Sequence, residues 1–138
     1  MTKDEILKFL NEHPASFFAT MEGDQPRVRG MALIRADEKG LLYQTADAKN
    51  MWQQLVKNPK VEVSFNDLQA GIQIRITGVM EAVLDQSLKE EILKLRPFLK
   101  PVVEKQGFEP IKVFRITKCK AYVWTMEKNF APKEYVDL

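Results

Sequence analysis

The sequence predicts a mainly β domain with some helix: a small antiparallel barrel of six or seven strands with peripheral helices. Three observations carry that expectation. Short alternating apolar runs succeed one another across Gly/Asp/Pro turns, as hairpins do. No regular crossover helices separate them, which argues against a doubly wound parallel sheet. One run, Ile72 to Leu84, would span about 40 Å at about 3.3 Å per residue, so it must curve, and curvature favours a barrel.

Each element has a local reason. Thr2 and Glu5 have the spacing of a capping box, and Ile6, Leu7, Phe9 and Leu10 give the first helix an apolar stripe that ends at Asn11–Pro14. SFFATM (Ser16–Met21) reads as a strand and EGDQP (Glu22–Pro26) as its turn. The chain then reads as one strand from Arg27 to Arg35, turns at DEKG (Asp37–Gly40) and returns through LLYQT to Thr45. In that strand Val28, Gly30, Ala32 and Ile34 share one face, and Arg27, Arg29, Met31, Leu33 and Arg35 the other. A second helix has Asp47 as its expected N-cap and Met51, Trp52, Leu55 and Val56 as its buried stripe, with Asn58-Pro59 as its stop. Val61, Val63 and Phe65 alternate with Glu62 and Ser64 in a half-buried strand. In the long strand after it, Ile72, Ile74, Ile76, Met80, Ala82 and Leu84 share a face, and Gly78 marks a bend or bulge. Asp85 to Leu95 is helical, Pro97 and Pro101 break or kink the chain beyond it, and a further turn or two runs to Lys105. Ile111 to Met126 returns to strand chemistry, with a turn or register change between two strands at TKCK (Thr117–Lys120). The tail NFAPKEYVDL has no clear period.

Composition bounds the function. A chain of 138 residues, 45% hydrophobic and 29% charged, suits one domain over residues 1–138 with its own core. It excludes disorder, collagen and a disulfide scaffold. Cys119 and His13 are the only cysteine and histidine, so no intrachain disulfide forms and a structural zinc site lacks ligands. No run approaches the roughly 20 apolar residues of a membrane span, and the opening MTKDEILKFLNEH lacks a signal peptide's apolar core. The expectation is a soluble, cytoplasmic protein with no membrane partner. Twenty-one basic against 19 acidic residues is too mild a balance for a nucleic-acid partner, but it suits a small anionic ligand.

Chemistry-bearing motifs are few. Neither a GxGxxG nor a GxxxxGK[ST] loop is present. His13 reads as a surface or cap residue, Cys119 as a buried, inert thiol, and no carboxylate pair suggests an acid/base couple. The informative stretch is QTADAKN (Gln44–Asn50), which joins a strand end to a helix start. There the Thr45 hydroxyl, first-turn N–H groups and Lys49 suit either a phosphate or, taken alone, a plain capped helix with a solvent lysine. Read as a meander, the chain places the Arg27/Arg29 strand beside Leu41–Thr45, so that their cations converge on one anion.

With these residues assembled, the sequence resembles the pyridoxamine 5'-phosphate oxidase-like family, the flavin-binding split barrels, in its small single-domain form. ASFFATMEGDQPRVRGM (Ala15–Met31), LLYQTADAKNMWQQLVKNPKVEVSF (Leu41–Phe65) and ITGVMEAV (Ile76–Val83) carry the likeness, which runs from about residue 5 to 126. The resemblance implies a homodimer with two FMN at its interface. It implies Arg29, Lys49 and Thr45 around the FMN phosphate, with Arg27 as a helper, Asn50 extending the phosphate loop and Gln53 on the same helix. Gly30, Met31, Ala32, Tyr43 and Gln44 are implied beside the ribityl chain and ring, and Trp124 as a contact lent by the partner subunit. The implied activity is an FMN-dependent oxidoreductase acting on a small molecule with a nicotinamide donor or oxygen. The alternatives are a non-catalytic flavin-binding, storage or sensing module and a related ligand-binding barrel. No catalytic residue is implied. The vitamer oxidases of the family carry a further C-terminal segment with arginine and histidine, so a substrate other than pyridoxamine phosphate is expected here. Nitroimidazole-resistance relatives use a histidine near the flavin, and His13 does not match its place. Some relatives bind a deazaflavin or haem; a deazaflavin stays open, while haem is disfavoured with a single imidazole. The aromatic residues of the strands are expected in the core, where apolar packing accounts for them without a base-stacking role.

Overall fold

The computed structural model describes residues 1–138. In chain order the elements are α1 (Lys3–Glu12), β1 (Ala15–Glu22), β2 (Gln25–Ala32), β3 (Arg35–Asp37), β4 (Gly40–Ala46), α2 (Asn50–Lys57), β5 (Lys60–Asp67), β6 (Ile72–Ala82), α3 (Gln86–Leu95), a 3-10 turn at Pro97–Leu99, α4 (Lys100–Gln106), β7 (Ile111–Thr125) and β8 (Tyr135–Asp137). All pairings are antiparallel, in the order β2-β1-β5-β6-β7-β4-β3, with β8 on β7. This is the mixed, sheet-dominated split barrel that the sequence predicts, with eight strands rather than six or seven. The two additional strands are three residues each, too short to show a period.

The split lies between β1–β2 and β4, which face each other without a hydrogen-bonded ladder. Side chains bridge it. The Tyr43 hydroxyl and Ser16 Oγ are 2.8 Å apart, Ser16 Oγ donates to the Met31 carbonyl (2.6 Å), and the Phe18 ring meets Tyr43 edge-on at 5.1 Å. The principal core contains Phe18, Tyr43, Val63, Phe65, Ile74 and Ile76, with Ile6 and Leu10 of α1 packed among them. A second, smaller core packs Leu88 and Ile92 of α3 onto Leu42, Ile111 and Val113, so α3 lies outside the barrel wall. The α1 capping box forms as its sequence predicts, and the helix expected over Asp85–Leu95 runs over Gln86–Leu95 with Asp85 as its N-cap.

Four expectations require correction. The run Arg27–Arg35 is not one strand: it breaks after Ala32, where Leu33 turns its side chain into the core and the Ile34 N–H bonds the Leu42 carbonyl. Consequently β2 and β4 are not neighbours, as the meander reading requires; they occupy opposite flanks of the split. The TKCK step does not separate two strands. It is a bulge inside the continuous β7, where Lys118 and Cys119 oppose the single residue Gly78 and Lys118 takes φ 53°. Finally, the N-cap of α2 is Lys49 rather than Asp47, and its buried residues are Met51, Gln54 and Leu55, with Val56 exposed.

The bulge also resolves the apolar patterning on both faces of β7. Phe114 and Ile116 point inward before it, Cys119 and Ala121 after it, and Val113 faces α3. Tyr122 and Trp124, further along β7, belong to neither core.

Candidate functional site

The inner face of β2 carries Arg29 towards α2. Cross-strand pairing sets Arg29 opposite Phe18 and Arg27 opposite Thr20, on the face that looks into the split. Arg29 Nη1 donates to Thr20 Oγ1 (2.8 Å) and the Phe18 carbonyl (3.1 Å), and Nη2 donates to Gln54 Oε1 (2.9 Å). Every acceptor is neutral, and no carboxylate lies within ion-pair reach. Partial burial lowers the Arg29 pKa, but a guanidinium stays protonated at neutral pH. The result is a half-buried, fixed cation without a counter-ion.

Gln54 organises this corner. Its buried carboxamide accepts from Thr20 Oγ1 (2.6 Å) and Arg29, and its nitrogen donates to Glu22 Oε2 (3.1 Å). Arg27 Nη2 holds the other Glu22 oxygen at 2.9 Å. Hydrogen bonds from Arg27 and then Gln54 keep the Glu22 carboxyl below its usual pKa.

The start of α2 adds to the positive field. Lys49 occupies its N-cap with no side-chain cap, and the first turn carries no acidic residue. Lys49 is exposed and makes no ion pair. Thr45, four residues earlier at the end of β4, is buried, and its Oγ1 has no hydrogen-bond partner. Uncapped N–H groups and the helix dipole favour an anion here. The register across the split puts these groups at one end. Tyr43 meets Ser16, the cross-strand partner of Met31; Thr45 lies two residues further along β4, and Arg29 two residues back along β2. The helix after β4 then returns to Thr20 and Arg29 through Gln54.

The remaining expected residues divide. Asn50 and Gln53 line a cavity of about 350 Å³ with Glu22, Gln54 and Lys57, beside the same helix. Gly30 and Ala32 lie on the outer sheet face. A Cβ built on Gly30 would meet nothing within 4 Å and its φ is ordinary, so the chain itself does not require glycine there. Met31 packs against the core. Three more are placed away from the Arg29–Thr45 cluster by the single chain. Arg27 is exposed and engaged by Glu22. Tyr43 is 0% exposed, with its hydroxyl held by Ser16 and its pKa pushed up by burial, so its ring serves the core. Gln44 points to the opposite face of β4 from Thr45.

Trp124 stands apart on the outer face. Its Nε1 donates to Asn129 Oδ1 (3.0 Å), and with Gln73, Arg75, Tyr122 and Lys133 it lines a concavity of about 320 Å³. Arg75 lies over the Tyr122 ring at 4.9 Å and its Nε has no partner; Lys133 approaches the same ring at 5.5 Å.

Sequence reading missed Gln54, Thr20 and Arg75. Gln54 had a signal, since a polar residue three after Met51 and one before Leu55 sits on the buried stripe. The readings of His13 and Cys119 hold. His13 closes α1, with Nδ1 3.0 Å from the Phe9 carbonyl and Nε2 3.3 Å from Asp67. Cys119 is buried, and burial pushes its thiol pKa up to about 11. No group of three or more His, Cys, Asp or Glu side chains could hold a metal ion, and no helix is long and apolar enough to cross a membrane.

Comparison with known proteins places this architecture. A search of curated protein sequences finds no match. Among solved structures, a NimC/NimA family protein from Clostridium acetobutylicum is 30% identical with a TM-score of 0.78, the alignment covering 98% of this chain and 92% of that one. General Stress Protein 26 from Bacillus anthracis shares the fold at 15% identity and TM-score 0.70, over 99% and 98% of the two chains. PhzG from Burkholderia lata, solved with tetrahydrophenazine-1-carboxylic acid, shares it at 12% and 0.68, over 98% and 89%. The family model for pyridoxamine 5'-phosphate oxidase matches residues 2–125. On that match and the 30% identical structure, the chain belongs to the pyridoxamine 5'-phosphate oxidase family.

Proposed function

We propose that this protein binds FMN and is an FMN-dependent oxidoreductase. Its substrate is a small molecule, with a nicotinamide donor or oxygen as redox partner, and it works as a cytoplasmic homodimer with two flavins at the interface. The observation that carries the reading is Arg29, a half-buried guanidinium whose acceptors are all neutral, at the same end of the split as the uncapped start of α2. The buried Thr45 hydroxyl, left without a partner by the chain itself, is independent support for a ligand group beside it. These groups fit a phosphate monoester dianion, which accepts several charge-assisted bonds at once.

In this reading Arg29, Lys49 and Thr45 hold the phosphate, and Asn50 extends the cradle. Gly30 leaves the outer face of β2 bare for a close neighbour. Trp124, with the unpaired Arg75 beside it, supports a contribution from the second subunit, because it lies on another face from the α2 cluster. The exposed Phe17 (59%) and Val28 (69%) on the outer sheet face give that subunit apolar surface to cover. Bound flavin would supply the redox chemistry, which no side chain of this protein offers. The protein's part is to bind, orient and exclude water. His13 and Cys119 are both engaged elsewhere, so neither an imidazole nor a thiol is assigned a step. A lone free thiol also suits a reducing compartment.

The test is reconstitution with FMN and then stopped-flow mixing with NADH or NADPH. The proposal expects a bound-flavin spectrum and flavin bleaching faster than that of free FMN. A flavin that binds but bleaches no faster with either donor, and turns over no small molecule with oxygen, contradicts the catalytic half of the reading.

A further inference from the structure

Glu22 is the one carboxylate in the hydrogen-bond network of Arg29, and the way it is held decides whether the Arg29 charge stays unpaired. One Glu22 oxygen accepts from Arg27 Nη2 at 2.9 Å and the other from Gln54 Nε2 at 3.1 Å. The same Gln54 carboxamide turns its oxygen to Arg29 Nη2 at 2.9 Å and to Thr20 Oγ1 at 2.6 Å. A single amide group therefore separates a carboxylate from a guanidinium. Left alone, two such groups pair side by side, the strongest arrangement open to them. Arg27 and Arg29 share one face of β2; Glu22 is bound directly to the exposed one and reaches the other only through Gln54.

We infer that Arg27 and Gln54 are positioning residues: Arg27 occupies Glu22 and Gln54 insulates it from Arg29, so that the Arg29 guanidinium stays free for an anion. The inference rests on the phosphate reading of the site and gives Arg27 a different part from that of a direct ligand. The two parts differ in one respect. An arginine that touches the phosphate is missed whatever Glu22 does. An arginine that only neutralises Glu22 becomes dispensable once Glu22 carries no charge.

The experiment is a cycle of wild type, Arg27→Gln, Glu22→Gln and the double variant, each titrated with FMN and with riboflavin by flavin fluorescence quenching at fixed salt. Arg27→Gln releases Glu22 towards Arg29 and is expected to weaken FMN about 5- to 10-fold, with riboflavin unmoved. The double variant is expected to return FMN affinity to within about twofold of wild type. Gln54→Glu, nearly isosteric, sets a carboxylate directly on Arg29 and is expected to abolish most of the preference for FMN over riboflavin. The inference is overturned if the double variant binds FMN as weakly as Arg27→Gln, or if Arg27→Gln binds it as wild type does. A wild type that shows no preference for FMN over riboflavin overturns the phosphate reading itself, a result distinct from either of these.

Discussion

Gly78 and Gly30 are glycines for opposite reasons, and alanine at each gives opposite expected results. Gly78 is buried opposite the β7 bulge. A Cβ there would collide with the Ile116 side chain and lie 2.8 Å from the Thr117 carbonyl oxygen, with Cys119 Sγ at 3.4 Å. The Ile116 methyl can rotate away; the carbonyl belongs to the bulge backbone and cannot. Overpacking of this kind costs about 1–3 kcal/mol, and the reduced freedom of the unfolded chain returns about 0.4–1 kcal/mol. The net loss of about 1–2 kcal/mol lowers Tm by about 3–10 °C in a domain of this size. Circular dichroism melts of Gly78→Ala measure it, and a Tm equal to or above wild type refutes the account of the bulge. At Gly30 nothing lies within 4 Å and φ is ordinary. Gly30→Ala is therefore expected to melt at the wild-type temperature or slightly above, yet to bind FMN about 10-fold or more weakly if a ligand or subunit presses on that face. Unchanged FMN affinity in Gly30→Ala removes Gly30 from the site.

Three further outcomes are expected. Burial raises the Cys119 pKa to about 11, so the native protein should resist a thiol reagent at pH 8 and react fully in denaturant; rapid native labelling contradicts the buried placement. Asp85 caps α3 through Ser87 Oγ, Ser87 N–H and Leu88 N–H, and the Ser87 hydroxyl is the main cause of its lowered pKa. A lowered folded pKa contributes stability above the unfolded carboxylate value of about 4 and loses it as pH falls through the folded one. Asp85→Ala should therefore lower Tm at pH 7, with the gap narrowing below pH 4, and a gap independent of pH contradicts the cap. Light scattering with FMN present should give about twice the 16.0 kDa chain mass, and a clean monomer contradicts the shared site.

What the sequence revealed was whatever is decided locally. The α1 capping box needs only Thr2 and Glu5, and the curved β6 needs only its own alternation from Ile72. The α3 start needs only Asp85 ahead of an amphipathic run. What it concealed depends on partners far along the chain. The break after Ala32 comes from Leu33 finding the core and Ile34 finding Leu42, which no local pattern shows. The same break moved β2 away from β4, so Arg29 meets α2 through Gln54 instead of lying on a strand adjacent to β4. TKCK announced an irregularity, but only pairing with β6 distinguishes a bulge from a turn. Arg29, Thr45 and Lys49 stood out as candidates because a guanidinium, a hydroxyl and an ammonium suit an anion. The pairing of Arg27 with Glu22 was not legible, because Glu22 comes from the preceding strand.

The central claim is that Arg29, Thr45 and Lys49 hold the FMN phosphate, and comparing FMN with riboflavin isolates that phosphate. Flavin fluorescence quenching would titrate wild type, Arg29→Ala and Lys49→Ala with both ligands. Each cation is expected to contribute one charge-assisted bond, so each variant should lose about 10- to 100-fold in FMN affinity while riboflavin affinity changes little. Wild type should prefer FMN strongly. Alanine variants that keep the full wild-type preference for FMN over riboflavin would contradict the assignment.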